Sequence, residues 1–152
     1  MKKFILMIGL PGSGKSSWAK DYQKSHPHTF IIASDEIRKE LFGHVQDFRD
    51  EPRIWKTVEE RIIEYGRRND DLTVIVDAGN RNNDIRRHFR EVAKDYDVHY
   101  LVYLKRDLNT LLTQNKLRSP DRIVEEGVIR RFYDEFEEPD EITTKIYKVL
   151  LK

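Results

Sequence analysis

Cysteine is absent from the chain. That excludes disulfide staples and thiolate-held metal, and it accords with a reducing, cytoplasmic setting. Glycine and proline are few, seven and five among 152 residues, and they form no low-complexity tract or linker, so a single domain spanning 1–152 is expected. Charge of one sign is not in excess either: 28 Lys and Arg face 27 Asp and Glu, a formal net charge of +1. A protein that coats nucleic acid electrostatically is thereby excluded, whereas one that grips only a strand terminus needs few phosphate contacts. No apolar run reaches membrane-spanning length, and no membrane partner is expected. The start Met1-Lys2-Lys3 precedes an apolar stretch too short for a secretory leader, and this stretch runs straight into a glycine-rich turn. It reads as the first strand.

The turn after that strand carries the most chemistry. Gly9-Leu10-Pro11-Gly12-Ser13-Gly14-Lys15-Ser16 is a complete G-x-x-x-x-G-K-[ST] phosphate-binding loop. The apolar run Phe4-Ile5-Leu6-Met7-Ile8 ends just before it, and a helical pattern starts at Lys15 with Ser16, Ser17 and Trp18. A strand, a glycine turn and a helix make up the setting this motif requires. Glycines let successive N–H groups turn inward around an anion, and the helix N-terminus behind them adds positive dipole. The residues expected to hold ATP are therefore Gly9, Pro11, Gly12, Ser13, Gly14, Lys15, Ser16 and Ser17. Lys15 is expected to reach the β- and γ-phosphates, and the Ser16 hydroxyl to ligate Mg²⁺.

Four apolar runs read as strands: 3–8, 29–33, 72–76 and 98–104. Helical patterns fill about 15–25, 35–43, 51–68, 83–95, 107–117, 123–136 and 139–151. Continuous apolar strands alternating with helices predict a four-stranded parallel sheet flanked by helices on both faces. His44–Asp50 reads as a loop, closed by Pro52 at a helix start.

Ligands of an open α/β sheet bind beyond the carboxyl ends of its strands, so the residues after each strand are the next candidates. Ser34-Asp35-Glu36-Ile37-Arg38 comes after the second. Ser34 or Asp35 would serve as a helix cap. Asp35 would equally serve as the carboxylate that orients and deprotonates an acceptor hydroxyl, with Arg38 one turn on along the same face. Asp77 comes after the third strand, where a carboxylate helps hold Mg²⁺ or its water shell; a plain turn through Asp77-Ala78-Gly79-Asn80 is the simpler alternative. After the fourth strand, Pro120 breaks a helix between Arg118 and Arg122. A hinged lid over about 107–122 would bring these arginines to a transferring phosphoryl group.

Two charged segments remain, and solvated helix faces are the ordinary reading of both. Arg81, Arg86, Arg87, Arg90 and Lys94 form the basic one; Asp134, Glu135, Glu137, Glu138, Asp140 and Glu141 form the acidic one. Phe42, Phe48, Trp55 and Tyr65 would serve either as helix packing or as a stacking platform for a base. His99 lies in a strand and reads as a packed or hydrogen-bonded residue.

Together these residues give a specific resemblance. The opening KKFILMIGLPGSGKSSWAKDY is similar to the kinase domain of phage-type polynucleotide 5′-kinases, within the small P-loop kinases, and the similarity extends to about Tyr133. It implies the P-loop kinase fold with a helical lid, and transfer of the ATP γ-phosphate to the 5′-OH end of DNA or RNA. It implies Asp35 as general base, Arg38 on the acceptor-side phosphate, Asp77 as the aspartate after the third strand and Arg118 as the lid arginine on the ATP phosphates. The chain ends near where the phage enzyme continues into a phosphatase domain, so 3′-phosphatase activity is not expected. The segment around His44–Trp55, on the acceptor side, matches only loosely, and the same machinery would phosphorylate a small molecule, a nucleoside or a modified base. A GTPase would need Asn-Lys-x-Asp and Asp-x-x-Gly; Asn115-Lys116-Leu117-Arg118 and Asp77-Ala78-Gly79-Asn80 are neither. A non-catalytic ATP-binding module is the third reading.

Overall fold

A computed structural model describes residues Met1–Lys152. In chain order the elements are β1 (Lys2–Ile8), α1 (Lys15–Ser25), β2 (Thr29–Ala33), α2 (Ser34–Phe42), α3 (Glu51–Arg68), β3 (Leu72–Asp77), α4 (Asn83–Val92) and β4 (Val98–Tyr103). Then come α5 (Leu108–Lys116), a 3-10 turn (Pro120–Arg122), α6 (Glu126–Glu135), α7 (Glu141–Ile146) and β5 (Lys148–Leu151).

The sheet is parallel throughout, in the order β2-β3-β1-β4-β5. It has five strands, not the four expected. The fifth lies inside the stretch read as a helix over 139–151. That helix stops after six residues, Tyr147 turns extended, and Lys148–Leu151 pairs with Tyr100–Tyr103. Four residues, of which Val149, Leu150 and Leu151 are apolar, fit a helix tail as well as a strand; the open edge of β4 decides between them.

Side chains alternate across β1 and are buried on both sides, which explains its continuous apolar run. Phe4, Leu6 and Ile8 join Val74, Val76 and the α3 residues Ile54, Val58 and Ile62 in the larger core. Ile5 and Met7 join Ile75, Val102 and Ala19 of α1 in the smaller one. Register then brings the strand ends level: Leu6 lies beside Val76 and Ala33 beside Asp77. The phosphate loop, the start of α2 and the end of β3 thus emerge together.

The two charged segments are not separate solvated faces. Arg87 Nη1 donates to Asp140 Oδ2 at 2.7 Å, the Asn83 N–H to Glu137 Oε1 at 3.1 Å, and the Glu137 N–H to the Arg81 carbonyl at 3.0 Å. Arg86 is fully buried, donating to the Asn80 carbonyl and to Asn83 Oδ1, both at 2.9 Å, above the Phe136 ring. One ion pair, Arg87–Asp140, and these hydrogen bonds fasten the C-terminal segment to α4, while Asp134, Glu135, Glu137, Glu138 and Glu141 stay exposed. His99 Nε2 lies 2.7 Å from the Ala93 carbonyl, as a hydrogen-bonded strand residue should.

Candidate active site

Residues 9–14 form a tight turn in which the Ser13 N–H bonds the Leu10 carbonyl at 3.0 Å, and the Gly9 N–H reaches Gly79 after β3 at 3.3 Å. Gly12 and Gly14 both have positive φ, of 90° and 95°, which L side chains rarely adopt. A Cβ on Gly12 would lie 2.6 Å from the Leu111 carbonyl of α5, whereas one on Gly14 would meet nothing within 4 Å. Gly12 therefore allows the lid helix to pack against the loop. Gly14 leaves the space before α1 open.

Lys15 and Ser16 begin α1. Lys15 Nζ donates to the Leu10 carbonyl at 3.3 Å. Burial pushes its pKa down, the Asp77 carboxylate opposes that shift, and Arg118 adds to it. Ser16 Oγ donates to Asp77 Oδ2 at 2.7 Å. Asp77 is buried at the last position of β3, so the sheet itself fixes its distance from the loop.

Asp35 sits in the first turn of α2, but neither it nor Ser34 caps the helix; the cap position is Ala33 and makes no side-chain bond. The Asp35 carboxylate instead accepts from Arg38 Nη1 at 2.8 Å. Arg38 is committed further, donating from Nε to Glu51 Oε2 at 3.0 Å and from Nη2 to Glu51 Oε1, with the Phe48 ring 4.9 Å from its guanidinium carbon. Its side chain is only 7% exposed. The arginine expected to steady an acceptor is thus held between two carboxylates and aims one of them.

The segment expected as a lid lines the cleft through Gln114, Leu117, Arg118 and Arg122. Arg118 has its pKa lowered by burial, against the pull of Asp35 and Asp77. Arg122 pairs with Glu36 and lies 4.0 Å from Asp35. Gln46, in the α2–α3 loop, donates to the Asp121 and Ile123 carbonyls at 2.9 and 3.0 Å. Asn115 bonds both the carbonyl and the N–H of Val124, which makes it a brace of the lid.

These groups share one cleft of about 1570 Å³. Pro11, Gly12, Gly14, Lys15, Ser16 and Ser17 line it, as do Asp35, Arg38, Asp77, Arg118 and Arg122. Gly9 and Ser13 stand behind the loop: a Cβ on Gly9 would strike Ser13 Oγ at 2.7 Å, and that hydroxyl is buried without a partner. Of the aromatic candidates, Phe48 and Trp55 line the cleft. Phe42 instead carries Arg49 on its ring, and Tyr65 stacks on Phe30. Sequence reasoning missed Glu51 and Gln46, whose roles depend on how the loop between α2 and α3 folds back. It also left Arg81 on a helix face, although this residue lines the cleft.

Residues 4–139 match the profile of the AAA domain family. The chain belongs to this family. Among curated proteins it is similar to an L-seryl-tRNA(Sec) kinase of Methanococcus maripaludis, 32% identical in an alignment of 147 residues that covers 89% of this chain and 52% of the relative. The chain thus spans about half the length of that curated relative. Among solved structures, a chain of the Pnkp1/Rnl/Hen1 RNA repair complex superposes with a TM-score of 0.79 at 20% identity, over 96% of this chain and 46% of that one. A gluconokinase from Sinorhizobium meliloti 1021 gives 0.67 at 19% identity, over 98% of this chain and 81% of that one. This AAA domain has the P-loop kinase fold, an α/β sheet flanked by helices. None of its helices is long and apolar enough to cross a membrane.

Proposed function

We propose that this domain is an ATP-dependent kinase that transfers the γ-phosphate to a hydroxyl of a nucleic acid, the 5′-OH of a polynucleotide end. The observation that carries the reading is the convergence of two carboxylates and two cations in one cleft. Asp35 and Asp77 both act on Lys15, and both act on Arg118.

In this reading the loop N–H groups, Lys15 and Arg118 bind and orient the triphosphate, and Arg122 moves with the lid. Asp35 accepts the proton of the acceptor hydroxyl as its oxygen attacks the γ-phosphorus and ADP leaves. Arg38, through its bond to Asp35 and its clamp on Glu51, is a positioning residue. A hydroxyl and a carboxylate at Ser16 and Asp77 are the hard oxygen donors that suit Mg²⁺, which keeps waters and phosphate oxygens as its other ligands. Bound there, the ion would neutralise charge on the triphosphate.

Contact with nucleic acid is supported by the curated relative, whose name gives a seryl acceptor carried on tRNA, and by the exposed Phe48 ring at the cleft. A near-neutral chain suits capture of one strand end. The test is incubation with γ-labelled ATP, Mg²⁺ and a 5′-OH oligonucleotide. Label on the oligonucleotide that is lost with Asp35→Asn supports the reading. Intact ATP binding with no labelled oligonucleotide, but label on a small hydroxylated acceptor, assigns the cleft to a small-molecule kinase.

A further inference from the structure

The cations of the cleft differ in how they are compensated. Arg38 is paired with Asp35 and Glu51, Arg61 with Glu40, and Arg122 with Glu36. Lys15 and Arg118 lie within electrostatic reach of Asp35 and Asp77 but form an ion pair with neither. Arg81 and Arg131, like Lys15, Lys20 and Arg118 of the same cleft, have no carboxylate within ion-pair distance, and neither of the two donates a side-chain hydrogen bond to the protein. Both instead lie against one ring, that of Phe132 in α6, at 3.6 and 5.4 Å from its centroid. Arg81 is half-buried, and its principal charged neighbours are Glu135 and Arg131 itself.

A ring face holds a guanidinium by its plane and leaves the N–H edges free. Two such edges lining one cleft would suit one multiply charged oxyanion, and a phosphate has the charge and the oxygens to satisfy both. The triphosphate has its own cations, and Arg81 is not among the charges that act on Lys15. Asp84, Ile85 and His88, just beyond Arg81 in the chain, line the same cleft. Arg38, the other candidate for an acceptor phosphate, is occupied.

From this arrangement we infer that Arg81 and Arg131, rather than Arg38, form the phosphate subsite of the acceptor, and that the acceptor carries a phosphate besides the hydroxyl to be phosphorylated. The inference rests on the kinase reading for the word acceptor, but the anion subsite itself does not.

The experiment is calorimetric titration of the full chain, saturated with a non-hydrolysable ATP analogue, using adenosine 3′-monophosphate and adenosine as probes. The 3′-monophosphate should bind at least about 10-fold more tightly. Arg81→Gln should reduce that ratio to within about 2-fold, and Arg131→Gln, at an exposed position that folding tolerates, should reduce it in part. Equal affinity for the two probes, no binding of the 3′-monophosphate, or a ratio unchanged in both variants overturns the inference. Labelled-ATP transfer to the same probes separates the two readings. An Arg81-dependent ratio without any transfer leaves the subsite standing and removes the 5′-OH kinase reading. Equal transfer to both probes, unaffected by Arg81→Gln, leaves the kinase standing and removes the subsite.

Discussion

Ser16 Oγ and Asp77 Oδ2 lie 2.7 Å apart although 61 residues separate them in the chain. One residue opens the helix after the phosphate loop and the other ends β3, so two rigid elements fix the pair. Asp77→Asn should lower kcat/KM with Mg²⁺-ATP by about 10²–10³-fold. Because the two groups act as a unit, Ser16→Ala combined with Asp77→Asn should cost far less than the product of the single losses. Steady-state kinetics over the four proteins checks both statements.

Removal of the proposed base should separate chemistry from binding. Asp35→Asn is expected to lower kcat by about 10²–10⁴-fold. Affinity for ATP, read by titration of an analogue, should stay within a few-fold of the parent.

The clamp on Arg38 joins stability to activity. Arg38→Leu leaves Asp35 and Glu51 facing each other, a loss of about 1–3 kcal/mol in denaturant unfolding. That is less than for a fully buried pair, because both carboxylates reach water. Glu51→Gln should keep most of the stability and still lower kcat more than it raises the KM for ATP, because Arg38 then aims Asp35 less firmly.

Two glycines of one loop should answer differently to the same change. Gly12→Ala combines positive φ with a contact of 2.6 Å to the Leu111 carbonyl, and it should cost about 3 kcal/mol or more. Gly14→Ala has the backbone strain alone and should cost about 1–2 kcal/mol. Thermal unfolding of the two variants gives the comparison.

Asp140 links stability to pH. The Thr143 N–H that it caps, together with Arg87, holds its pKa at about 2, below the ordinary 3.8. Its contribution is therefore fully present above pH 3.8 and is lost as pH falls through about 2. Asp140→Asn should lower Tm at pH 6, and the gap to the parent should close between pH 4 and pH 2.

The loop and the strand-end carboxylates are legible in the sequence because their signals are local. An apolar run ending in Asp77 places that side chain at the sheet's upper edge whatever the rest of the chain does. Asp35 is legible as a position but not as a contact, since capping and catalysis ask for the same residue type there. Arg86 reads as surface because charge implies water; its hydrogen-bond acceptors, the Asn80 carbonyl and Asn83 Oδ1, are local, but the Phe136 ring that covers it arrives only with the folded C-terminal segment. For β5 the deciding partner, the open edge of β4, lies 48 residues away by register (Tyr100 beside Lys148). Arg81 and Arg131 are 50 positions apart in number and meet only through Phe132.

The lid is fastened by Glu36 and Gln46, and both belong to the part of the chain that also presents Asp35 and Phe48. In the proposed kinase, lifting 107–122 away from nucleotide would break contacts with the segment that presents Asp35, so the two halves of the cleft would share one set of bonds. Occupancy of either half is then thermodynamically coupled to the other, and the coupling is reciprocal. Whatever factor bound nucleotide adds to acceptor affinity, bound acceptor adds to nucleotide affinity, and Gln46→Ala should bring both factors towards one.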